Sequence, residues 1–111
     1  MRVKIKNVNG GSISVDIEMN DTPKQIIAKA IAQNDKSDVA VIFADETALN
    51  EISEGIGSIE TTLSNFVLST REGVVPLEWD VSVGKQVETL INQIINEGYE
   101  VEFYACICQI A

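Results

Sequence analysis

Hydrophobic and polar positions alternate along two short segments near the start of the chain, residues 2–8 and 12–19. Alternation with a period of two is typical of strands that bury one face and expose the other. Between the two segments, Asn9-Gly10-Gly11 supplies residues that tolerate the backbone angles of a hairpin turn. We therefore predict a β-hairpin, with a register that places Arg2 opposite Asp16.

The pattern then changes to the period of a helix, and three residues mark its start. Thr22 suits the N-cap, Pro23 suits the first helical position, and Gln25 completes a capping box. A polar stretch at 34–37 marks the end of the helix. The apolar stripe between these signals consists of Ile26, Ile27, Ala30 and Ile31.

Two further apolar runs have the length of strands. Residues 39–44 read VAVIFA, and residues 99–110 begin with alternation and become apolar on both faces from Ala105 onward. A run that is apolar on both faces is typical of a strand whose two faces are both covered. We therefore predict a strand at each run and place the last one in the centre of the sheet.

In the middle of the chain, apolar residues recur at spacings of three and four. Such a heptad seam is typical of an amphipathic helix or a coiled coil, and it predicts a helix over 46–69. The helix is either continuous or broken at Gly55-Ile56-Gly57, because each glycine disfavours a helix interior by about 1 kcal/mol. The seam either associates with a second chain or packs on the protein's own core. Its residues are Leu49, Ile52, Ile56, Ile59, Leu63 and Phe66.

A loop with a short extended piece is predicted over 71–81, a segment that contains glycine and proline. Either Asp80 or Ser82 can cap a further helix, and Gly98 provides its C-terminal stop. The residues of this helix predicted to face inward are Val83, Val87, Leu90, Ile91, Ile94 and Ile95.

The first part of this pattern resembles ubiquitin and its β-grasp relatives. Seven residues match those that the ubiquitin family carries at corresponding places, and Ile42-Phe43-Ala44 resembles the family's third-strand motif. The resemblance covers about the first 45 residues. The seven matching residues are Met1, Lys6, Gly10, Ile13, Glu18, Asp21 and Thr22.

The resemblance implies an α+β fold of β-grasp type, in which the last strand lies parallel to the first in the middle of the sheet. Together with the other elements, it predicts one domain over 1–111, with a mixed four-stranded sheet and the element order β-β-α-β-α-α-β. A helical insertion at about 45–98 then precedes the last strand. Conjugated members of the family end in a diglycine tail, whereas this chain ends in Cys-Gln-Ile-Ala, so we expect neither conjugation nor sulfur-carrier chemistry.

Three regions are candidates for contact with a protein partner. Val8 and Ile42 match two positions of the ubiquitin recognition patch, although burial in the core is the usual fate of an isoleucine. Trp79 is the only tryptophan, and in its predicted loop it either contacts a partner or folds over the core. The heptad seam is the third region, and a homodimer through 46–69 is one form that the contact could take.

The net charge of −9 at pH 7 is divided unevenly along the chain. Residues 1–36 carry six basic and four acidic side chains, a balance of +2, whereas residues 37–111 carry two basic and thirteen acidic ones, a balance of −11. An acidic surface repels phosphate backbones, so we expect no nucleic-acid partner. The charge either serves solubility or attracts a basic partner, as in a phage- or plasmid-type inhibitor that occupies a basic nucleic-acid-binding site.

Few residues suit catalysis or metal binding. The chain contains no histidine, which removes the commonest general base and metal ligand. Cys106 and Cys108 share one face of the predicted last strand, where they form either a soft-metal or redox site or buried structural thiols. We expect structural thiols, because two cysteines supply half of a tetrahedral zinc shell. No cofactor, metal or catalytic residue is predicted.

The sequence therefore predicts a non-enzymatic protein–protein interaction or adaptor module of ubiquitin-like fold. No apolar run approaches the ~20 residues of a membrane span, and the amino-terminal pattern is not that of a signal peptide. We thus expect a cytoplasmic protein without membrane contact. The alternatives are the acidic inhibitor and a small-molecule or metal-binding enzyme that uses Cys106 and Cys108.

Overall fold

The structure is a computed structural model, and it describes residues 1–7, 11–43 and 65–106. In these ranges the protein is α+β, with a mixed five-stranded sheet and three helices. The elements in chain order are β1 Arg2–Lys6, β2 Ser12–Asp16, α1 Pro23–Gln33, α2 Lys36–Phe43, β3 Asn65–Thr70, β4 Gly73–Pro76, α3 Val83–Asn96 and β5 Glu102–Cys106.

The last described strand occupies the centre of the sheet, and its predicted central position is confirmed. The strand order is β2-β1-β5-β3-β4, with β5 parallel to β1 and antiparallel to β3. Ile5 of β1 and Leu68 of β3 both lie opposite Phe103, so β5 joins two hairpins. The predicted number of four strands is wrong, because β3 and β4 form a second hairpin where the sequence pattern predicts a helix and a loop.

The first hairpin and the first helix follow the sequence prediction. Arg2 pairs with Asp16 across the strands, which confirms the predicted register. Thr22 accepts a hydrogen bond from the Gln25 N–H at 3.2 Å, and the Gln25 side chain accepts one from the Thr22 N–H at 2.8 Å. This reciprocal capping box, with Pro23 after the cap, begins α1 where predicted.

The strand predicted for the VAVIFA run is wrong, because Lys36–Phe43 is helix α2. Val39 and Ile42 are almost fully buried, whereas Val41 between them is 64% exposed. Burial at a spacing of three residues is helical, since a strand buries alternate residues. A short apolar run has no period of its own, and the hydrogen bond from the Val39 N–H to the Asp35 carbonyl places this one in a helical turn.

The helix predicted over 46–69 is wrong at its C-terminal end, because Asn65–Thr70 is strand β3. Phe66 and Leu68 are both buried in the core, which is the period of a strand. Phe66 satisfies both the heptad spacing and this alternation, and pairing with β5 decides between them. The remainder of the predicted helix, 46–64, lies outside the described residues.

The segment 71–81, predicted as a loop with a short extended piece, contains strand β4, Gly73–Pro76. Ser82 rather than Asp80 caps α3, by accepting a hydrogen bond at 3.2 Å from the backbone N–H three residues later. After α3, Gly98 adopts a φ of +83°, the left-handed conformation that commonly ends helices. The predicted helix start and stop are therefore confirmed at Ser82 and Gly98.

Two details near the end of the described chain depart from the prediction. Ile95, predicted to face inward, is 47% exposed because it lies one residue beyond the buried stripe of α3. The strand predicted over 99–110 begins only at Glu102. The alternation predicted at its start is present, because Glu102 and Tyr104 are half-exposed whereas Phe103 is buried, and the side chains after Ala105, where both faces are predicted to be apolar, lie outside the described part. The helices cover one face of the strand, and the side chains of Glu102 and Tyr104 lie on the other.

The core lies between the helices and one face of the sheet. Phe66 stacks on Phe103 with ring centroids 5.2 Å apart, and the Trp79 ring lies 5.8 Å from that of Phe66. These rings connect β3, β5 and the loop before α3. Their aliphatic neighbours in the core include Val3, Ile5, Val15, Ile26, Ile27, Ile42, Leu68, Val87 and Ile91.

Candidate functional site

The predicted contact residues that the structure describes belong to the core or pack against it. Ile42 and Phe66 are each 1% exposed, and Trp79 is partly buried against the core cluster. These three side chains have little surface to offer a partner. The other predicted contact residues, Val8, Leu49, Ile52, Ile56, Ile59 and Leu63, lie outside the described residues.

The sheet has a second face opposite the core, which we call the outer face. Strand register places alternate residues of all five strands on it. The three helices contribute their buried residues to the core on the opposite side. Most side chains of the outer face are exposed or half-buried. The described side chains of the outer face are those of Arg2, Lys4, Lys6, Ser12, Ser14, Asp16, Val67, Ser69, Val74, Pro76, Glu102 and Tyr104.

Ion pairs occupy the half of the outer face formed by β1 and β5. Lys4 Nζ lies 3.2 Å from Glu100 Oε2, and Lys6 Nζ lies 3.1 Å from Glu102 Oε2. The hydrogen bond to Glu102 and the charge of that carboxylate raise the pKa of Lys6 above its ordinary value. Because exposed pairs of this kind contribute little to stability, their charges can exchange partners when another protein approaches.

Apolar side chains occupy the other half of the outer face. Tyr104 of β5 lies opposite Val67 of β3, and Val67 lies opposite Pro76 of β4. Val67 is 3% exposed, whereas Val74, two residues before Pro76, is 47% exposed. We call Tyr104, Val67, Pro76 and Val74 the apolar strip. An apolar centre beside charged groups is the arrangement found in many protein interfaces.

Both edges of the sheet are protected against pairing with another strand. At the β2 edge, Gln33 bonds the N–H and the carbonyl of Asp16 at 2.7 and 3.0 Å, and Asn34 bonds the Ser14 carbonyl at 3.0 Å. At the β4 edge, the alternation of ladder bonds turns the backbones of Val74 and Pro76 outward, and because Pro76 has no N–H, Val74 supplies the one outward N–H of β4. An extended peptide therefore finds few backbone partners at either edge, which leaves the outer face as the better candidate.

The uneven charge of the sequence is partly neutralised by pairing in the fold. Lys24 Nζ lies 2.9 Å from Asp80 Oδ1, in addition to the two lysine pairs of the outer face. Arg71, one of two bases in 37–111, lies 3.3 Å from Glu97. The acidic-inhibitor hypothesis requires a continuous acidic surface, so these pairs count against it. It stays a prediction.

The described residues hold no cluster of metal ligands. No group of three cysteine or carboxylate side chains gathers there in a way that could hold an ion. Cys106 ends β5, but its side chain and all of Cys108 lie outside the described part, so the thiol hypotheses stay predictions. In that same part of the chain, every helix is too short or too polar to cross a membrane.

Comparison with known proteins does not assign the chain to a family. A scan of protein families finds no family model that matches the sequence, and a search of curated proteins finds no significant match. The resemblance to ubiquitin relatives therefore stays a prediction from the residues quoted above.

Sequence reasoning missed the apolar strip, although a signal for it exists. In the stretch NFVLST, Val67 and Ser69 alternate with Phe66 and Leu68, which is the pattern of a strand with two unlike faces. The preceding heptad spacing is longer and includes Phe66, so it outweighs six residues of alternation. Long-range pairing with β5 then assigns Val67 to the outer face.

Proposed function

We propose that the protein is a non-enzymatic protein–protein interaction or adaptor module of ubiquitin-like, β-grasp type, and that it binds its partner through the outer face. The β-grasp assignment is supported by the strand order β2-β1-β5-β3-β4, with the last described strand parallel to the first at the centre. A hairpin followed by a helix precedes that strand, as in the family that the first 45 residues resemble.

The observation that carries the proposal is the apolar strip beside the two lysine–glutamate pairs. Interfaces between proteins combine a desolvated apolar centre with a polar rim, and tyrosine is among the residues enriched in them. Tyr104, Val74 and Pro76 supply the accessible part of the centre, and Lys4 and Lys6 with their carboxylate partners supply one rim. The protected edges favour contact through side chains of the face over the addition of a strand.

Site-specific photo-crosslinking in the native host tests the proposal. A photoreactive residue replaces Ser69 on the outer face in one version and Thr89, which is exposed on α3, in a matched control. We expect a covalent protein adduct from position 69 and none from position 89. Adducts from neither position, or equal adducts from both, would refute contact through the outer face.

Self-association is a separate form of the proposal and has its own test. We compare the molar mass in solution of the wild type with those of Ile56→Asp, in the heptad seam, and Val74→Asp, on the outer face. A dimer that only Ile56→Asp dissociates supports the seam, and one that only Val74→Asp dissociates supports the outer face. A monomeric wild type removes the homodimer and leaves a different protein as the partner.

A further inference from the structure

A groove runs between the β3–β4 turn and the C-terminal end of α3. It consists of two adjoining depressions of about 380 Å³ and 180 Å³, which share Thr70, Arg71 and Ile94 in their walls. The smaller depression also includes Ser69 and Glu102, which belong to the outer face. The groove therefore continues the proposed contact surface around the end of the sheet.

The groove combines an exposed aromatic ring with several carboxylates. Tyr99 is 56% exposed, and the guanidinium carbon of Arg71 lies 5.7 Å from the centre of its ring. Arg71 Nη1 also lies 3.3 Å from Glu97 Oε2. Three more carboxylates line the walls, but Glu100 and Glu102 are paired with lysines of the outer face, so two acidic groups, Glu97 and Glu72, face Arg71. The three are Glu72, Glu100 and Glu102.

The guanidinium of Arg71, which lies over the Tyr99 ring, is held there by weak interactions. Arg71 stands in the two-residue turn between Thr70 and Gly73, and its side chain is 68% exposed. Its hydrogen bond to Glu97 is at the long end of the normal range, and an exposed ion pair adds little binding energy. Stacking of an exposed guanidinium on an aromatic ring is similarly weak. A second guanidinium presented by a partner can therefore replace it.

We propose that this groove receives an arginine side chain of the partner protein, on the ring of Tyr99 and the carboxylate of Glu97, and that Arg71 is a built-in competitor which moves aside. The inference rests on the proposed function, because it names the chemistry of the partner at the rim of the outer face. Glu72 and Glu97 outnumber the one cation of the groove, Arg71, which disfavours an anionic occupant. The flat guanidinium suits ring and carboxylate together better than the compact ammonium of lysine does.

A titration observed by amide NMR tests the inference on the full chain. The probe is the blocked peptide Gly-Gly-Arg-Gly-Gly, and its control carries citrulline, the uncharged analogue of arginine. We expect shifts at residues 70–72 and 97–100 with a dissociation constant on the order of millimolar, and none with citrulline. Absence of shifts, shifts elsewhere, or equal shifts with citrulline would overturn the inference.

Two variants test whether Arg71 competes with the peptide for the groove or contributes to its binding. Arg71→Ala is expected to tighten peptide binding about three- to tenfold, because it removes the cation that occupies the site. Lys85→Ala changes the net charge equally at an exposed position outside the groove, and we expect no change in affinity. Weaker binding by Arg71→Ala, or equal tightening by Lys85→Ala, contradicts the competitor role.

The aromatic ring has its own pair of variants. Tyr99→Leu keeps an apolar side chain but removes the ring, and it should weaken the peptide about threefold or more, whereas Tyr99→Phe should bind like the wild type. Equal affinity of the two variants excludes the ring as the binding surface. If the peptide fails while the crosslink from Ser69 forms, the groove is refuted and the proposed function stands. If the crosslink fails while the peptide binds, contact through the outer face is refuted, and the assignment of the groove to that partner falls with it, although the groove binds arginine.

Discussion

The two helices that follow a hairpin, α1 and α3, begin in similar sequences but are anchored differently. Each has a hydroxyl N-cap, Thr22 or Ser82, that accepts a hydrogen bond at 3.2 Å from the backbone three residues later. In α1, the Gln25 side chain in turn accepts a hydrogen bond from the Thr22 N–H, which completes a local capping box. In α3 the corresponding residue is Lys85, whose side chain has no acceptor with which to close a box.

Long-range hydrogen bonds replace the missing box at the start of α3. The first two N–H groups of α3, from Val83 and Gly84, donate to the carbonyls of Asp21 and Met19 at 2.9 and 2.8 Å. The loop that begins α1 thus also caps α3. Sequence-local signals therefore suffice to locate α1, whereas the start of α3 is stabilised by residues about sixty positions earlier in the chain.

Gly84→Ala should cause the largest loss of stability, because it disturbs the long-range hydrogen bonds at the start of α3. A Cβ at position 84 would lie 2.8 Å from the Met19 carbonyl oxygen, the same atom that accepts the Gly84 N–H. The loop cannot withdraw from the methyl group without lengthening that bond. We expect a loss of about 3 kcal/mol in the free energy of unfolding, measured by urea denaturation.

Gly98→Ala is the matched control for the effect of a methyl group. A Cβ there would meet no atom within 4 Å, and the cost comes only from the positive φ of +83°. We expect a loss of about 1 kcal/mol. Equal losses from the two variants would show that close approach to Met19 is not what makes position 84 sensitive.

Gln86→Ala should release the loop before α3. The Gln86 side chain accepts from the Glu78 N–H at 2.8 Å and donates to the Glu78 and Val81 carbonyls at 3.1 and 2.7 Å. Loss of these bonds should cost about 2 kcal/mol. The fluorescence of Trp79, the only tryptophan, should shift to the red as its loop leaves the core. Gln93→Ala, which loses one 3.4 Å bond on the same helix, should leave stability and emission unchanged.

The predictability of the fold follows the same division between local and distant contacts. The first hairpin and α1 could be predicted because alternation and a capping box lie within a few residues of each other. The hairpin of β3 and β4 could not, since its strands are six and four residues long and the first continues a helical spacing. Helix α2 could not be predicted because the run VAVIFA shows neither a helical nor a strand period. Only the burial of Val39 and Ile42 in the fold reveals the helical one. The outer face depends on pairing with β5, which no local pattern encodes.

Asp21 connects the starts of α1 and α3, because its carboxylate binds Lys29 of α1 and its carbonyl accepts the Val83 N–H. Substitution of its carboxylate should have a pH-dependent effect on stability. Burial disfavours its charged form, but hydrogen bonds from Lys29 Nζ at 2.5 Å and the Glu18 N–H at 2.9 Å outweigh this, so the pKa of Asp21 is lowered. A lowered pKa stabilises the fold above the ordinary aspartate range, and that stability is lost as pH falls through the folded-state value.

Asp21→Asn should therefore destabilise the protein by about 1–2 kcal/mol at neutral pH and by less at about pH 3 and below. The measurement is urea denaturation of both proteins across that range. Asp80→Asn provides the control, because its carboxylate is 76% exposed and pairs with Lys24 at the surface, where we expect little change. A difference between wild type and Asp21→Asn that grows on acidification would contradict the assigned role.

The smallest expected effect is the difference in stability between changes at the N-caps of α1 and α3. Gln25→Ala removes the acceptor of the Thr22 N–H and should cost about 0.5 kcal/mol, whereas Lys85→Ala should cost almost nothing, because Lys85 serves the Ser82 cap through its backbone alone. Glutamine and lysine have similar helix propensities, so the difference in unfolding free energy isolates the returned hydrogen bond. If the two alanine variants are equally stable, the returned hydrogen bond adds nothing at the start of α1, and the capping box does not explain how the two helices differ.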